Sequence, residues 1–397
     1  MTLREQLTGR LDELIANVVA LAEINSGTHN PDGVNRCAER LAEQVEALRP
    51  DRVEMVPVDP TPIVTENGEQ TSRPVGNALR VTKRADTPFQ VCLFGHLDTV
   101  FPAEHPFQTV AVSNHRLHGP GVADCKGGLV LATEVLRHVE TVEWGQQIGW
   151  EFLVVPDEEV GSVGSQPLLR AAAGRCNIGL GFEPALPSGG VAGARKGTLN
   201  GHTVVRGRAA HAGRAHHEGR SAVRGLARLI DTLEELNERD GVTVNFGRIS
   251  GGGPTNVVPD FAMGAFNLRV GTAEDSAWIR QQFERVTART AAAHELEIEL
   301  IWGSSRDPKP RTPALDQLLA DVASAADEAG LQIAAEDTGG CCDGNDLAAA
   351  GLPNVDSLGI CGGNIHSSQE FAEVGSIAER VPVVVEVLRR AYRRSVA

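Results

Sequence analysis

The sequence predicts an α/β fold in which a mostly parallel-sheet domain carries an inserted, ferredoxin-like βαββαβ unit. Two patterns support this. Four short apolar runs at 89–94, 148–155, 178–182 and 355–360 read as strands covered on both faces. Helical patterns lie between several of them, notably 127–139 and 166–173, as in an α/β sheet. Between about residues 196 and 303 the pattern changes to strand 203–207, helix 221–236, strands 242–249 and 261–270, helix 274–293 and strand 296–302. That order is the split βαβ signature. A length of 397 residues exceeds one ordinary core. The expected division is 1–195 and 306–397 for the larger domain, with 196–305 inserted as a dimerisation or lid domain.

The remaining elements follow in chain order. Leu3, Leu7, Leu11, Leu14, Ile15, Val18 and Val19 stand at helical spacing over 2–21. Asn30-Pro31-Asp32 signals a helix start, followed by Val34, Cys37, Leu41, Val45 and Leu48. Residues 59–76 hold Pro60, Pro62 and Pro74 among polar neighbours and read as a long surface loop. The sheet pattern resumes after Pro308, with a helix at 313–329 and a strand before His366. No internal repeat or low-complexity tract interrupts it.

Composition narrows the function. With 41% hydrophobic residues the chain reads as a soluble globular protein. Its 52 acidic against 37 basic residues, a formal charge of −15, argue against nucleic acid or an anionic membrane as partner. The charged N-terminus lacks the apolar stretch of a secretory signal, and no apolar run approaches a bilayer span. Seven cysteines without a CxxC favour reduced thiols and a cytoplasmic location. Cys341-Cys342 has no further cysteine or histidine at zinc-finger spacing.

Five side chains lie just past apolar runs: His96, Asp124, Glu159 (with its neighbour Glu158), Glu183 and His366. Ligands of open α/β sheets bind outside the carboxyl ends of the strands, so these residues suggest one shared metal pocket. Each taken singly is ordinary, since a Glu-Glu pair on a turn is usually solvated; together at strand ends they form a site. Imidazole and carboxylate are zinc donors, and a catalytic zinc needs three protein ligands plus an open position. Five ligands therefore serve two ions if one carboxylate bridges. Asp124 suits the bridge, because its flanking glycines let the backbone fold tightly. Glu158 and Glu159 cannot both reach one ion from an extended backbone. One division has Glu159 ligating while Glu158 takes a proton from the attacking water. Asp98 can accept the other imidazole N–H of His96. His211, His216 and His217 cluster in what reads as a solvated loop.

The motifs Gly95-His96-Leu97-Asp98-Thr99-Val100, Gly119-Pro120-Gly121 through Asp124-Cys125-Lys126-Gly127-Gly128, Asp157-Glu158-Glu159-Val160-Gly161-Ser162 and Phe182-Glu183-Pro184 appear in family order. From about residue 75 to 375 the chain resembles the dizinc peptidase and deacylase family. Glutamate carboxypeptidase, acetylornithine deacetylase and succinyl-diaminopimelate desuccinylase are among its members. The resemblance implies two Zn²⁺ per subunit, with Co²⁺ or Mn²⁺ as substitutes. One ion would be held by His96, Asp124 and Glu183, the other by Asp124, Glu159 and His366, with Glu158 as general base. It implies that His211 polarises the scissile carbonyl across a homodimer, and that Asn256 and Arg269 hold the substrate's carboxylate.

The expected activity is hydrolysis of an amide or peptide bond in a small peptide or N-acyl amino acid with a free carboxylate, glutamate carboxypeptidase-like. The alternative is an N-acyl amino acid deacylase such as acetylornithine deacetylase or succinyl-diaminopimelate desuccinylase. A catalytically silent ligand-binding homologue is more remote, since the ligand set is complete. A cysteine hydrolase using Cys125 or Cys341 has no adjacent base in sequence. The chain departs from its relatives at Gly339-Gly340-Cys341-Cys342-Asp343, where Thr or Ser often precedes the Asp, in a loop lining the carboxylate site. Glu370 follows His366 as in the family, yet Ser367-Ser368-Gln369 is neutral where an acidic residue is common.

Overall fold

The structure is a computed structural model and describes residues 1–396. Six strands form the central sheet in the order Arg52–Val56, Ala78–Lys83, Gly149–Val155, Gln90–His96, Ile178–Gly181, Asn354–Val355. The last four run parallel, and the first two are added antiparallel at one edge. The continuous apolar runs have a direct cause in this packing. Along Gln90–His96, Val91 and Leu93 face a core that includes Leu14, Val18, Leu41, Leu129 and Leu388. Cys92 and Phe94 face the opposite core with Leu169, Ala172 and Leu347. Alternate side chains thus enter two different apolar layers, so neither face can be polar.

The inserted strands pair antiparallel in the order Thr243–Gly251, Phe261–Val270, Gly197–Arg206, Glu297–Arg306. Helices Ala222–Glu234 and Ala273–His294 bring Leu229, Leu233, Ile279 and Phe283 onto Leu199, Phe266 and Leu268. The first inserted strand begins at Gly197 rather than 203. The two chain crossings lie side by side: Arg195 N–H donates to Lys309 O at 2.9 Å, and Lys309 N–H returns to Arg195 O at 3.0 Å.

Three expectations are corrected. The residues expected to form a loop at 59–76 form a hairpin, Thr61–Val64 with Gln70–Arg73. Pro62 within it is tolerated because a two-stranded ribbon has free edges. Val64 packs on Val204, Met263 and Ile301, so the hairpin covers apolar side chains of the inserted sheet. The apolar run 355–360 is not one strand: pairing stops at Val355. Beyond it Leu358 and Gly359 donate to Gly181 O (3.0 Å) and Glu183 O (2.9 Å), so the chain crosses the end of its neighbour. A side chain on Gly359 would collide with the carbonyl oxygens of Phe182 and Glu183, 2.4 and 2.5 Å from its Cβ. Cys361–Gly363 then joins a separate antiparallel sheet. At the N-terminus the helical pattern is split at Gly9-Arg10 into Leu3–Thr8 and Leu11–Ala22. Among the described residues no helix is long and apolar enough to cross a membrane.

Candidate metal centre

His96 ends its strand, Glu158-Glu159 follow Gly149–Val155, and Glu183 follows Ile178–Gly181. Asp124 lies in the turn Val122–Gly127 that enters helix Gly128–Val139. The buried Glu370 carboxylate shapes this turn by accepting N–H bonds from Gly121 (3.0 Å), Ala123 (2.9 Å) and Asp124 (3.1 Å). Only glycine fits at 128, where a Cβ would stand 1.9 Å from Phe182 O. His366 occupies the loop between Cys361–Gly363 and Phe371–Glu373 with φ 61°.

Asp124 stands between the two imidazoles. Its Oδ1 is 3.0 Å from His96 Nε2 and its Oδ2 is 3.1 Å from His366 Nε2. Glu183 Oε2 lies 3.7 Å from His96 Nε2, and Glu159 Oε2 lies 3.2 Å from His366 Nε2. The five residues therefore gather around the Asp124 carboxylate, and ligand atoms of His96, Asp124 and Glu159 all lie within 4.8 Å of one another. Burial pushes Glu159 and Glu183 up from the usual carboxylate range. Burial also opposes the Asp124 charge, but its bonds to His366 and His96 outweigh it and hold the carboxyl down. Hydrogen bonds to Asp124 and Glu159 raise His366. Glu183 Oε1 is buried without a hydrogen-bond partner. Three clustered carboxylates, one with an orphaned oxygen, are costly to bury without compensating cations. The nitrogen and oxygen donors fit two divalent ions of the zinc type.

Residues 92–390 match Peptidase family M20/M25/M40. The chain belongs to this family. It is a hydrolytic enzyme, similar to succinyl-diaminopimelate desuccinylase of Nitrosococcus oceani (28% identical; 79% of this chain, 84% of the relative). Carboxypeptidase G2 of a Pseudomonas species is 27% identical over 75% of this chain and 72% of its own. The fold superposes with TM-score 0.68 on a dinuclear metal-binding peptidase of the M20 family from Bacillus subtilis, at 16% identity, covering 97% of this chain and 98% of that one.

Other residues of the enzyme fall around this centre unevenly. Asp98 is nearer the Glu158-Glu159 pair than a simple His96 partner would be. Its carboxylate accepts from Thr28 Oγ1 (2.7 Å), Glu158 N (3.1 Å) and Glu159 N (3.2 Å), whereas His96 Nδ1 lies 3.0 Å from Asp98 main-chain O and 3.4 Å from its Oδ1. Arg269 lines a cavity of about 450 Å³ with Glu158, Glu159 and His366. It donates to Asn267 Oδ1 (3.1 Å) and Cys341 Sγ (3.2 Å). His211 and Asn256 are brought together elsewhere: Ala212 N–H donates to Asn256 O at 2.9 Å, and His211 Nδ1 accepts from Gly213 N–H at 3.2 Å. Within one chain neither lines the cavity beside Glu158 and Glu159. Burial pushes the Cys125 thiol up to about 11, which disfavours the thiolate a cysteine hydrolase needs.

Sequence reasoning missed Arg306, which reaches Glu158 Oε1 at 2.5 Å from the last inserted strand. It also missed Thr28, whose hydroxyl anchors Asp98. No local signal marked either, because each acts through a partner far away in sequence.

Proposed function

We propose that the enzyme is a two-metal hydrolase cleaving the amide bond of a small peptide or N-acyl amino acid with a free carboxylate, glutamate carboxypeptidase-like. The observation that carries this reading is Asp124 set between two His–carboxylate groups beside a cavity holding Arg269. His96, Asp124 and Glu183 would hold one ion, and Asp124, Glu159 and His366 the other. Zinc suits the donors, with Co²⁺ or Mn²⁺ as substitutes. Bound metal supplies Lewis acidity and acidifies water.

The chain's own residues do the rest. Glu158 takes a proton from the attacking water and delivers it to the leaving nitrogen, while Asp98 fixes the Glu158-Glu159 main chain. Arg269 receives the substrate's carboxylate through its planar fork. Because His211 and Asn256 lie apart from the centre of their own chain, we assign them to the neighbouring site of a homodimer. There His211 stabilises the developing oxyanion. The reading includes a cytoplasmic location.

A second reading, deacylation, draws on a cavity of about 640 Å³ on the far side of Glu159, lined by Thr28, His29, Arg73 and Val100. Arg73 suits an anionic acyl chain, with Glu104 in the same lining opposing it. Free amine released from N-acetyl, N-succinyl, folyl and dipeptide substrates, with and without chelator, tests both readings. Chelator-insensitive turnover overturns the metal mechanism; preference for N-succinyl substrates favours the second reading.

A further inference from the structure

We propose that Arg306 is the positioning residue of Glu158, carried by the inserted unit, so that the seating of that unit sets the orientation of the base. The proposal rests on the assignment of Glu158 as general base.

Arg306 is the last residue of strand Glu297–Arg306 and pairs with Thr198 at the start of the first inserted strand. It thus stands where the chain leaves the inserted sheet. Its side chain is only 3% exposed and enters the larger domain. There the guanidinium makes a complete fork. Nη1 donates to Glu158 Oε1 at 2.5 Å, and Nη2 donates to Ser162 Oγ at 2.6 Å and Asp343 Oδ1 at 2.9 Å. Nε donates to Asp346 Oδ2 at 3.2 Å. Asp343 and Asp346 both belong to the helix Asp343–Ala349, which fixes the fork from behind.

Two features turn this ion pair into a device for orienting the base. First, of the two carboxylate oxygens Arg306 grips Oε1 alone, with a longer contact from Nη2 to the Glu158 main-chain O at 3.5 Å; among the described residues no group donates to Glu158 Oε2. That oxygen is left for the proton of the attacking water. Second, planarity ties the four side-chain contacts to one orientation of the guanidinium. Glu158 stands in a short turn, Glu158–Val160, closed by Gly161 at φ 96°, and its main chain is held by Asp98. Its backbone is therefore fixed by the larger domain, and its carboxylate by a residue of the inserted strand. A rotation of the inserted sheet moves the Arg306 backbone and withdraws or restores the grip on Oε1.

The test is a double-mutant cycle on the full-length, metal-loaded enzyme, with metal content and melting temperature measured for every variant. Arg306→Met is expected to lower kcat about 10²-fold, the low end for acid–base groups, with KM within about threefold and metal content unchanged. In a Glu158→Gln background the same substitution should cost nothing further in kcat, because its effect passes through Glu158. An equal loss in both backgrounds overturns the proposal, as does a rise in KM at constant kcat. Removing Arg306 leaves two buried aspartates unpaired and threatens folding, so Arg306→Lys is the deciding variant if Arg306→Met fails to fold. Lysine keeps the charge without the fork and should show kcat about tenfold down at unchanged KM. Wild-type kcat in a folded Arg306→Lys enzyme sinks the idea. Failure of the base assignment itself is read separately, from wild-type turnover in Glu158→Gln alone.

Discussion

The two walls of the cleft are built on different principles. On one side His96, Glu159 and Glu183 stand at the ends of strands whose residues are almost all buried, from Gln90–His96 to Ile178–Gly181. On the other side Asn200, Asn267, Arg269 and Ser304 form a polar, half-exposed surface on the inserted sheet, with Thr198 buried beside them. That surface is joined to the first wall by two chain crossings, pinned by Arg195, Arg306 and Lys309. In the proposed mechanism the metal donors sit on the packed sheet, which holds them rigidly, and substrate recognition sits on the inserted sheet. Substitutions on the first wall should therefore remove activity outright, and those on the second should change which substrate is taken.

The largest effect is expected at Asp124. Asp124→Ala deprives both donor groups of a ligand at once, so both ions and nearly all turnover should go. Elemental analysis checks this: two tightly held metals per chain in the variant would rule out the bridge.

Next in size is His211, carried by the inserted unit away from the cleft of its own chain yet assigned to chemistry. His211→Ala should lower kcat by roughly 10²–10³-fold, as loss of an oxyanion donor does elsewhere. The sharper experiment mixes two inactive variants, His211→Ala and Glu158→Gln. Subunit exchange places an intact Glu158 opposite an intact His211 in one of the two sites of each heterodimer, so activity should return. Verified heterodimers that stay silent would place His211 outside the partner's site.

Arg269 gives a smaller and more selective effect. Lysine cannot reproduce the bidentate geometry, so Arg269→Lys should raise KM for free-acid substrates and leave kcat nearly intact. Amidating the substrate's carboxylate should cost the wild type a similar factor. Equal turnover of free-acid and amidated substrates would falsify the clamp.

The same contrast between walls explains what the sequence could reveal. His96, Glu159 and Glu183 were legible because each ends an apolar run, and an apolar run is what a doubly covered strand must be. Asp124 was legible through its glycines, which the close approach of Phe182 to Gly128 requires. The order of inserted elements was legible from periodicity, although the first strand's start was not, since Gly197-Thr198-Leu199-Asn200 carries no long apolar run. The hairpin within 59–76 was hidden because its stability comes from Val64 meeting Val204, Met263 and Ile301, contacts distant in sequence. The end of the strand at Val355 was hidden for a related reason: the next residue, Asp356, is drawn to cations from both crossings.

That aspartate supplies the smallest expected effect on turnover and a direct probe of how the walls are joined. Asp356 is fully buried; Arg195 Nε donates to its Oδ1 at 2.8 Å and Lys309 Nζ to its Oδ2. Burial alone would raise its carboxyl, but the charges of Arg195 and Lys309 prevail and lower it from 3.8 to about 2. A carboxyl depressed in the folded state contributes stability that is fully present above its unfolded value and is lost as pH falls through the folded one. The crossings should therefore loosen between about pH 4 and 2. Asp356→Asn leaves two buried cations uncompensated and should cost about 3–5 kcal/mol at neutral pH. Melting temperatures of wild type and variant, taken from pH 7 down to 2, should converge as the wild-type carboxyl is protonated. A gap that stays constant down to pH 2 would show that Asp356 holds the crossings by shape rather than by charge.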